Sequence, residues 1–146
     1  MSWLPKRSIV VPVDFTADSK HAIDLALSML DDRTGLHAVH VLYPLDVVSP
    51  GIEFAPTDEF DREEATRVFA KKFMLESGYA DLELIIRMGD PGTEIAHYAD
   101  EVKADLIIIP SHGRHGWKHF FLGSVTEHVI QHAHCEVLVL RKSDAE

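Results

Sequence analysis

The stretch Asp105-Leu106-Ile107-Ile108-Ile109-Pro110 sets the fold class of this chain. Four large aliphatic residues follow one another without a polar residue between them, at the length of a strand. A strand with one wet face alternates apolar and polar side chains, whereas an unbroken run is buried on both. Such a strand needs helices above and below it, which is the arrangement of a parallel α/β sheet. The flanks supply them. Upstream, Asp90-Pro91 is an N-cap followed by proline at the first helical position, with Ile95, Ala99 and Val102 on one face. Downstream lies a glycine-containing loop, Pro110 to Gly123, then a helix expected from Ser124 to about His132 and a strand from Val137 to Leu140.

The same alternation reaches back to the start. Ile9 to Val13 is a β-branched strand, followed by a helix from about Asp18 to Leu30 with Ala22, Ile23, Ala26, Leu27 and Leu30 on one face. Leu36 to Leu42 is a second strand. Leu45 to Thr57, carrying Pro50, Gly51 and Pro56, is a loop. A helix from Asp58 to about Ser77 buries Ala65, Val68, Phe69 and Phe73, and Leu82 to Met88 is the third strand. Five strands and four helices form one α/β domain over residues 1–146, with no repeat and no linker. Right-handed crossovers put helices on both faces of the open sheet. Ligands of such sheets bind beyond the carboxyl ends of the strands, where strand order reverses. That rule selects the loop after the first strand, with Asp14, and the loop after the fourth, ending at Gly123-Ser124.

Composition narrows the function. The chain has 146 residues, 46% of them hydrophobic and 26% charged, which excludes wholesale disorder. A chain of this size buries about 68–70% of its unfolded surface and holds a core without disulfides or a structural metal. One cysteine, Cys135, precludes an intrachain disulfide framework. No membrane-length apolar run and no apolar leader segment is present, so a cytoplasmic location is expected. With 14 Lys and Arg against 24 Asp and Glu, the net charge of −10 repels nucleic acid and excludes it as a partner. A small anion is still admissible where backbone N–H groups make a local site.

Two readings apply to Gly123-Ser124-Val125-Thr126-Glu127. A helix start after a glycine presents N–H groups to a phosphate. Ser124 with Glu127 three residues on is equally a capping box that needs no ligand. Gly113, Gly116 and Gly123 share their loop with Arg114 and Lys118, yet no Gly-Lys-Ser/Thr makes it a P-loop. Nor does a G-x-G-x-x-G motif follow the first strand.

Taken together, these segments resemble the universal stress protein family. The likeness rests on Ser111-His112-Gly113, nine residues, then Gly123-Ser124-Val125-Thr126-Glu127. It rests also on Ile9 to Thr16, His40-Val41, Gly89-Asp90-Pro91 and Val137 to Leu140, and so covers nearly the whole chain. The resemblance implies a sheet of order 3-2-1-4-5, of the adenine nucleotide alpha-hydrolase-like, Rossmann-like kind. It also implies a homodimer through the last strand, Val137 to Leu140, and a stress-response role as a nucleotide-responsive regulator. One branch of the family binds ATP through G-x2-G-x9-G-[ST]. Here Gly113, Gly123 and Ser124 match that pattern, while Pro110 replaces its first glycine, with no N–H and a fixed φ.

The implied contacts make chemical sense. Pro12, Val13 and Asp14 would meet adenine with Val41; a carboxylate accepts from the amine of adenine and repels the carbonyl of guanine. Asp14 as a cap of the following helix is the structural alternative. Gly113, Gly123, Ser124, Val125 and Thr126 would hold the phosphates, helped by Arg114. With a chain this acidic, ATP is expected to come with Mg²⁺ or Mn²⁺. The other branch of the family, dimeric and nucleotide-free, is the competing expectation, and Pro110 motivates it.

Other chemistry has less support. His115/His119 and His128/His132 have the spacing of metal ligands on one helix face, but no compact Cys/His quartet exists and no metal site is expected. Cys135 is read as a small buried side chain. No G-x-S-x-G elbow and no base to activate water is present. The chain is expected not to be an enzyme, beyond slow ATP hydrolysis or self-phosphorylation at Ser124 or Thr126.

Overall fold

A computed structural model describes residues 2–44, 59–111 and 123–141. The elements are β1 (Ile9–Pro12), α1 (Ala17–Met29), β2 (Leu36–Leu42), α2 (Glu59–Glu76), β3 (Leu84–Met88), α3 (Pro91–Glu101), β4 (Leu106–Pro110), α4 (Ser124–His132) and β5 (Glu136–Leu140). The five strands are parallel in the order β3-β2-β1-β4-β5. The expected strand order and connection pattern are both present.

The β4 run behaves as its composition requires. Leu106, Ile107 and Ile108 are fully buried and Ile109 nearly so, because alternate side chains enter different cores. One core joins Ile9, Val11, Ala38 and Ile108 to α1 and α2; the other joins Val10, Val39, Ile107 and Ile109 to α3 and α4. Each such valine or isoleucine side chain stabilises the fold by about 1.5–3 kcal/mol through transfer from water.

The second helix corrects the sequence expectation. Of the predicted stripe, Ala65, Val68 and Phe69 are exposed and Phe73 is half-buried; the buried residues are Ala70 and Met74. Apolar residues lie all round α2, so periodicity alone leaves its rotation undetermined. The sheet decides it: Ala70 packs with Leu42 and Ile86, and Met74 with the core under α1. The predicted loop Leu45 to Thr57 lies outside the described residues.

One feature of the sheet opens the site. β1 pairs with β2 over four positions, Ile9 to Pro12, but with β4 over only two, Ile9 and Val10. Beyond Val10 the two central strands part. Pro110, which has no N–H to donate, ends β4 on this diverging stretch, where its β1 neighbour has already left.

Candidate functional site

The parting strands enclose a cavity of about 460 Å³ at the carboxyl ends of β1, β2 and β4. That lies within the roughly 300–1,000 Å³ typical of small-molecule sites. Pro12, Val13 and Asp14 come from the end of β1, and Val39, His40, Val41 and Tyr43 from β2 and its exit. The first residues of α3 and α4 close the other side.

Asp14 has a divided carboxylate. Its Oδ1 accepts from the Thr16 N–H at 3.1 Å, the Thr16 hydroxyl at 2.5 Å and the Ser19 hydroxyl at 2.6 Å. The Ser19 hydroxyl also accepts the Asp14 N–H at 2.9 Å, so the residue is gripped from both its ends. Oδ2 takes no hydrogen bond from the described residues. The helix α1 has its own N-cap, Thr16, which accepts from the Ser19 N–H. Asp14 therefore braces the helix start and still carries an acceptor into the cavity. The helix cap expected as the alternative role of Asp14 is thus Thr16 instead.

The neighbouring backbone is under tension. Phe15 has φ 65°, in the left-handed region that a bulky side chain rarely enters. Such a residue costs on the order of 1–3 kcal/mol and persists only where its surroundings compel it. The Asp14 hydrogen bonds do so from one side. From the other, the Phe15 ring packs against His40 at 4.6 Å, Phe69 at 5.1 Å and Phe73 at 5.3 Å. His40 adds a bond from Nδ1 to the Val13 carbonyl at 2.6 Å. Because that carbonyl can only accept, the ring carries a proton on Nδ1.

The opposite end of the cavity is the start of α4. Its N-cap is Gly123 and no side chain caps it, so the expected capping box of Ser124 and Glu127 does not form. Ser124 is the first helical residue, one place too late, and is exposed. The N–H groups of Ser124, Val125 and Thr126 have no partner among the described residues, and the first intrahelical bond runs from the Glu127 N–H to the Gly123 carbonyl at 3.0 Å. Three donors without a partner among the described residues, and the positive end of the helix dipole, thus belong to the cavity wall. The Thr126 side chain is buried, and its hydroxyl donates to the Pro110 carbonyl at 2.8 Å. The N–H is the group Thr126 can offer.

The start of α3 is different. Asp90 accepts the Thr93 N–H at 3.0 Å and its hydroxyl at 2.9 Å, and Pro91 follows. Those bonds, foremost the one from the Thr93 N–H, hold the Asp90 carboxyl below its ordinary value.

Of the ten residues predicted for the site, Pro12, Val13, Asp14, Val41, Gly123, Ser124, Val125 and Thr126 all line this cavity. Gly113 and Arg114 lie outside the described residues. Tyr43, Pro91 and Ile95 line it too and were not singled out. The strand-end rule, applied to β2 and to the helix facing it, would have found them.

The histidine spacing is half realised. The His128 and His132 rings lie tilted against each other at 4.4 Å, and His128 Nδ1 lies 3.5 Å from Asp90. No group of three or more metal-ligating side chains forms among the described residues. Cys135 is half-buried, and burial pushes its thiol up, away from the reactive thiolate.

Comparison with known proteins gives concordant results. The model of the Universal stress protein family matches residues 6–141. Universal stress protein MJ0531 of Methanocaldococcus jannaschii is 32% identical over 96% of this chain and 85% of its own length. Among solved structures, hypothetical protein MJ0577 superposes with TM-score 0.73 at 25% identity, covering 97% of this chain and 100% of its own. A universal stress protein crystallised in complex with cAMP superposes with TM-score 0.61 at 24% identity, covering 95% and 99%.

Proposed function

The chain belongs to the universal stress protein family, and from that premise we propose that it binds ATP in the strand-end cavity and works as a nucleotide-responsive regulator of stress response. One observation carries this reading. Among the described residues, the same cavity is lined by Asp14, whose Oδ2 is unengaged, at one end and by three α4 residues whose N–H groups have no partner at the other. Adenine needs the first and phosphoryl oxygens need the second. The family neighbour solved with cAMP supports an adenine ligand.

Each residue has a part to play. Asp14 accepts from the exocyclic amine of adenine and repels the oxygen that guanine carries there, so ATP is selected over GTP. Its bonds to Thr16 and Ser19 fix the carboxylate before the ligand arrives. Gly123, with φ −64° and ψ 156°, sits in a conformation open to any residue. Its value is the missing Cβ, which lets phosphate approach the helix start. No carboxylate cluster that could hold a metal stands among the described residues. Mg²⁺ or Mn²⁺ would therefore ride on the phosphates as their counter-ion, with Arg114 assisting.

The wider setting is cytoplasmic, as a homodimer. β5 is an edge strand whose residues Val137 to Leu140 are only half-buried, and an apolar edge of this kind favours pairing with a second copy. No described helix is long and apolar enough to cross a membrane.

Calorimetry of the purified chain with Mg²⁺ tests the reading. ATP is expected to bind, and GTP to bind at least tenfold more weakly, as a lost hydrogen bond to a charged group implies (about 1.5–3 kcal/mol). Absence of ATP binding would reject it in favour of the nucleotide-free dimer. That second reading has its own support in Pro110, which puts a proline ring and no donor on the cavity wall.

A further inference from the structure

A second cavity, of about 260 Å³, opens at the other end of the sheet, by the amino ends of β2 and β3. Leu36, Leu82 and Ile85 give it apolar walls, and Arg33, Thr34, His37, Asp81, Glu83 and Tyr98 are its polar members, with Thr34 engaged by Asp32. None of these residues touches the strand-end cavity.

Three of its groups lack partners among the described residues. Tyr98 is only 8% exposed, yet its hydroxyl makes no hydrogen bond with the described residues. Its ring meets the His37 imidazole edge-on at 6.2 Å, and His37 has no hydrogen bond either. Burial pushes the His37 imidazole below its ordinary value and the Tyr98 phenol above its own. At neutral pH the phenol is therefore a donor, and the imidazole holds one donor and one acceptor. A hydroxyl so placed can donate to a group that enters the cavity.

The charges around the cavity add a preference. Arg33 is taken up by Asp81 through two bonds, at 2.8 and 2.9 Å. Arg87, which lies over the Tyr98 ring at 5.0 Å, is taken up by Glu101. Glu83 is the carboxylate left over, with no ion pair among the described residues. Among the described residues an anion finds no unpaired cation here, whereas an ammonium group finds Glu83.

We propose that this cavity is a second ligand site, independent of the nucleotide, for a small monocationic amine built on a flat heteroaromatic ring that carries a hydrogen-bond acceptor. The ammonium group pairs with Glu83, the ring lies against Leu82, Ile85 and the His37–Tyr98 pair, and the ring acceptor takes the Tyr98 hydroxyl proton. The volume is below the roughly 300–1,000 Å³ of drug-sized sites and suits a single ring.

The test is an NMR titration of the full chain, following the ring signals of His37 and Tyr98, with and without Mg·ATP. The probes are picolylamine (a cation with a ring acceptor), benzylamine (a cation without one), nicotinamide (neutral) and nicotinate (an anion). Picolylamine is expected to bind most tightly, nicotinate not at all, and saturating ATP to leave the order unchanged. Tyr98→Phe and Glu83→Gln should each weaken picolylamine about threefold to tenfold. Glu83 is exposed, so its variant carries the test even if Tyr98→Phe impairs folding. Picolylamine that leaves both rings unmoved, nicotinate that binds as well as picolylamine, or affinity indifferent to Glu83→Gln would each overturn the proposal. Because the titration reads His37 and Tyr98 in ATP-free protein as well, its failure leaves the nucleotide reading untouched, and the converse holds.

Discussion

Two helices begin on the wall of the strand-end cavity, and they begin in opposite ways. α3 starts with Asp90, whose carboxylate takes the Thr93 N–H, and with Pro91, which has no N–H at all. Its positive end is neutralised by its own sequence. α4 starts with Gly123, no side chain caps it, and its first three N–H groups have no partner among the described residues. With glycine at the N-cap, the missing side-chain cap costs α4 only about a few tenths of a kcal/mol. α3 is thus finished by its own side chains, whereas α4 leaves its first N–H groups without a partner among the described residues, where the proposed phosphate would bind.

The contrast can be broken by exchanging the two starts. Gly123→Asp would give α4 the cap that α3 has, place a carboxylate where phosphate is proposed to sit, and add a Cβ. ATP affinity should fall more than a hundredfold by calorimetry, while stability changes by only a few tenths of a kcal/mol, as expected for Asp replacing Gly at an N-cap. The next effect concerns how the two helices are held together. A Cβ on Gly92 would lie 2.5 Å from the His128 ring, so Gly92→Ala must push α3 and α4 apart. A loss of about 1–3 kcal/mol is expected in chemical denaturation. Unchanged stability would mean that the crossing is looser than drawn.

Two smaller tests sharpen the assignment of α3. Asp90→Ala should lower stability by about 1 kcal/mol and leave ATP binding intact, the reverse of Gly123→Asp. Its effect also has a pH signature. The Asp90 carboxyl is held below its ordinary value of 3.8, so its native form binds protons less readily than the unfolded chain. The stabilisation is full above that value and fades as the pH falls through it toward the lower native one. The difference in denaturation midpoint between parent and Asp90→Ala should therefore shrink on acidification. A difference that persists in strong acid would assign the effect to packing instead.

How much of this was readable depended on how local the signal was. The β4 run and the Asp90-Pro91 start of α3 are written in consecutive residues, and both took the form their chemistry requires. The burial of α2 was misread because Ala65, Val68 and Phe69 offer one apolar stripe and Ala70, Phe73 and Met74 another. Only the strands beneath choose between them. The capping box was misread by one position, since Ser124 enters the helix instead of preceding it. Hydrogen bonds from Gly123 to the Ser111 carbonyl and from Thr126 to the Pro110 carbonyl set where α4 begins. Neither partner is visible from the helix itself. The eight described residues predicted for the site do share one cavity, because strand ends and helix starts meet wherever a parallel sheet reverses its order.

By itself the sequence determined the parallel sheet, its layers and the two loops that matter, because hydrophobic periodicity and turn chemistry act over a few neighbouring residues. Tertiary structure alone decided which face of α2 is buried and, among the described residues, that Asp14 keeps one oxygen unspent and that α4 starts without a side-chain cap. It also created the second cavity, where Tyr98 of α3 meets His37 of β2 across sixty residues of chain. Those outcomes depend on distances between segments far apart in sequence, which packing sets and local pattern does not encode.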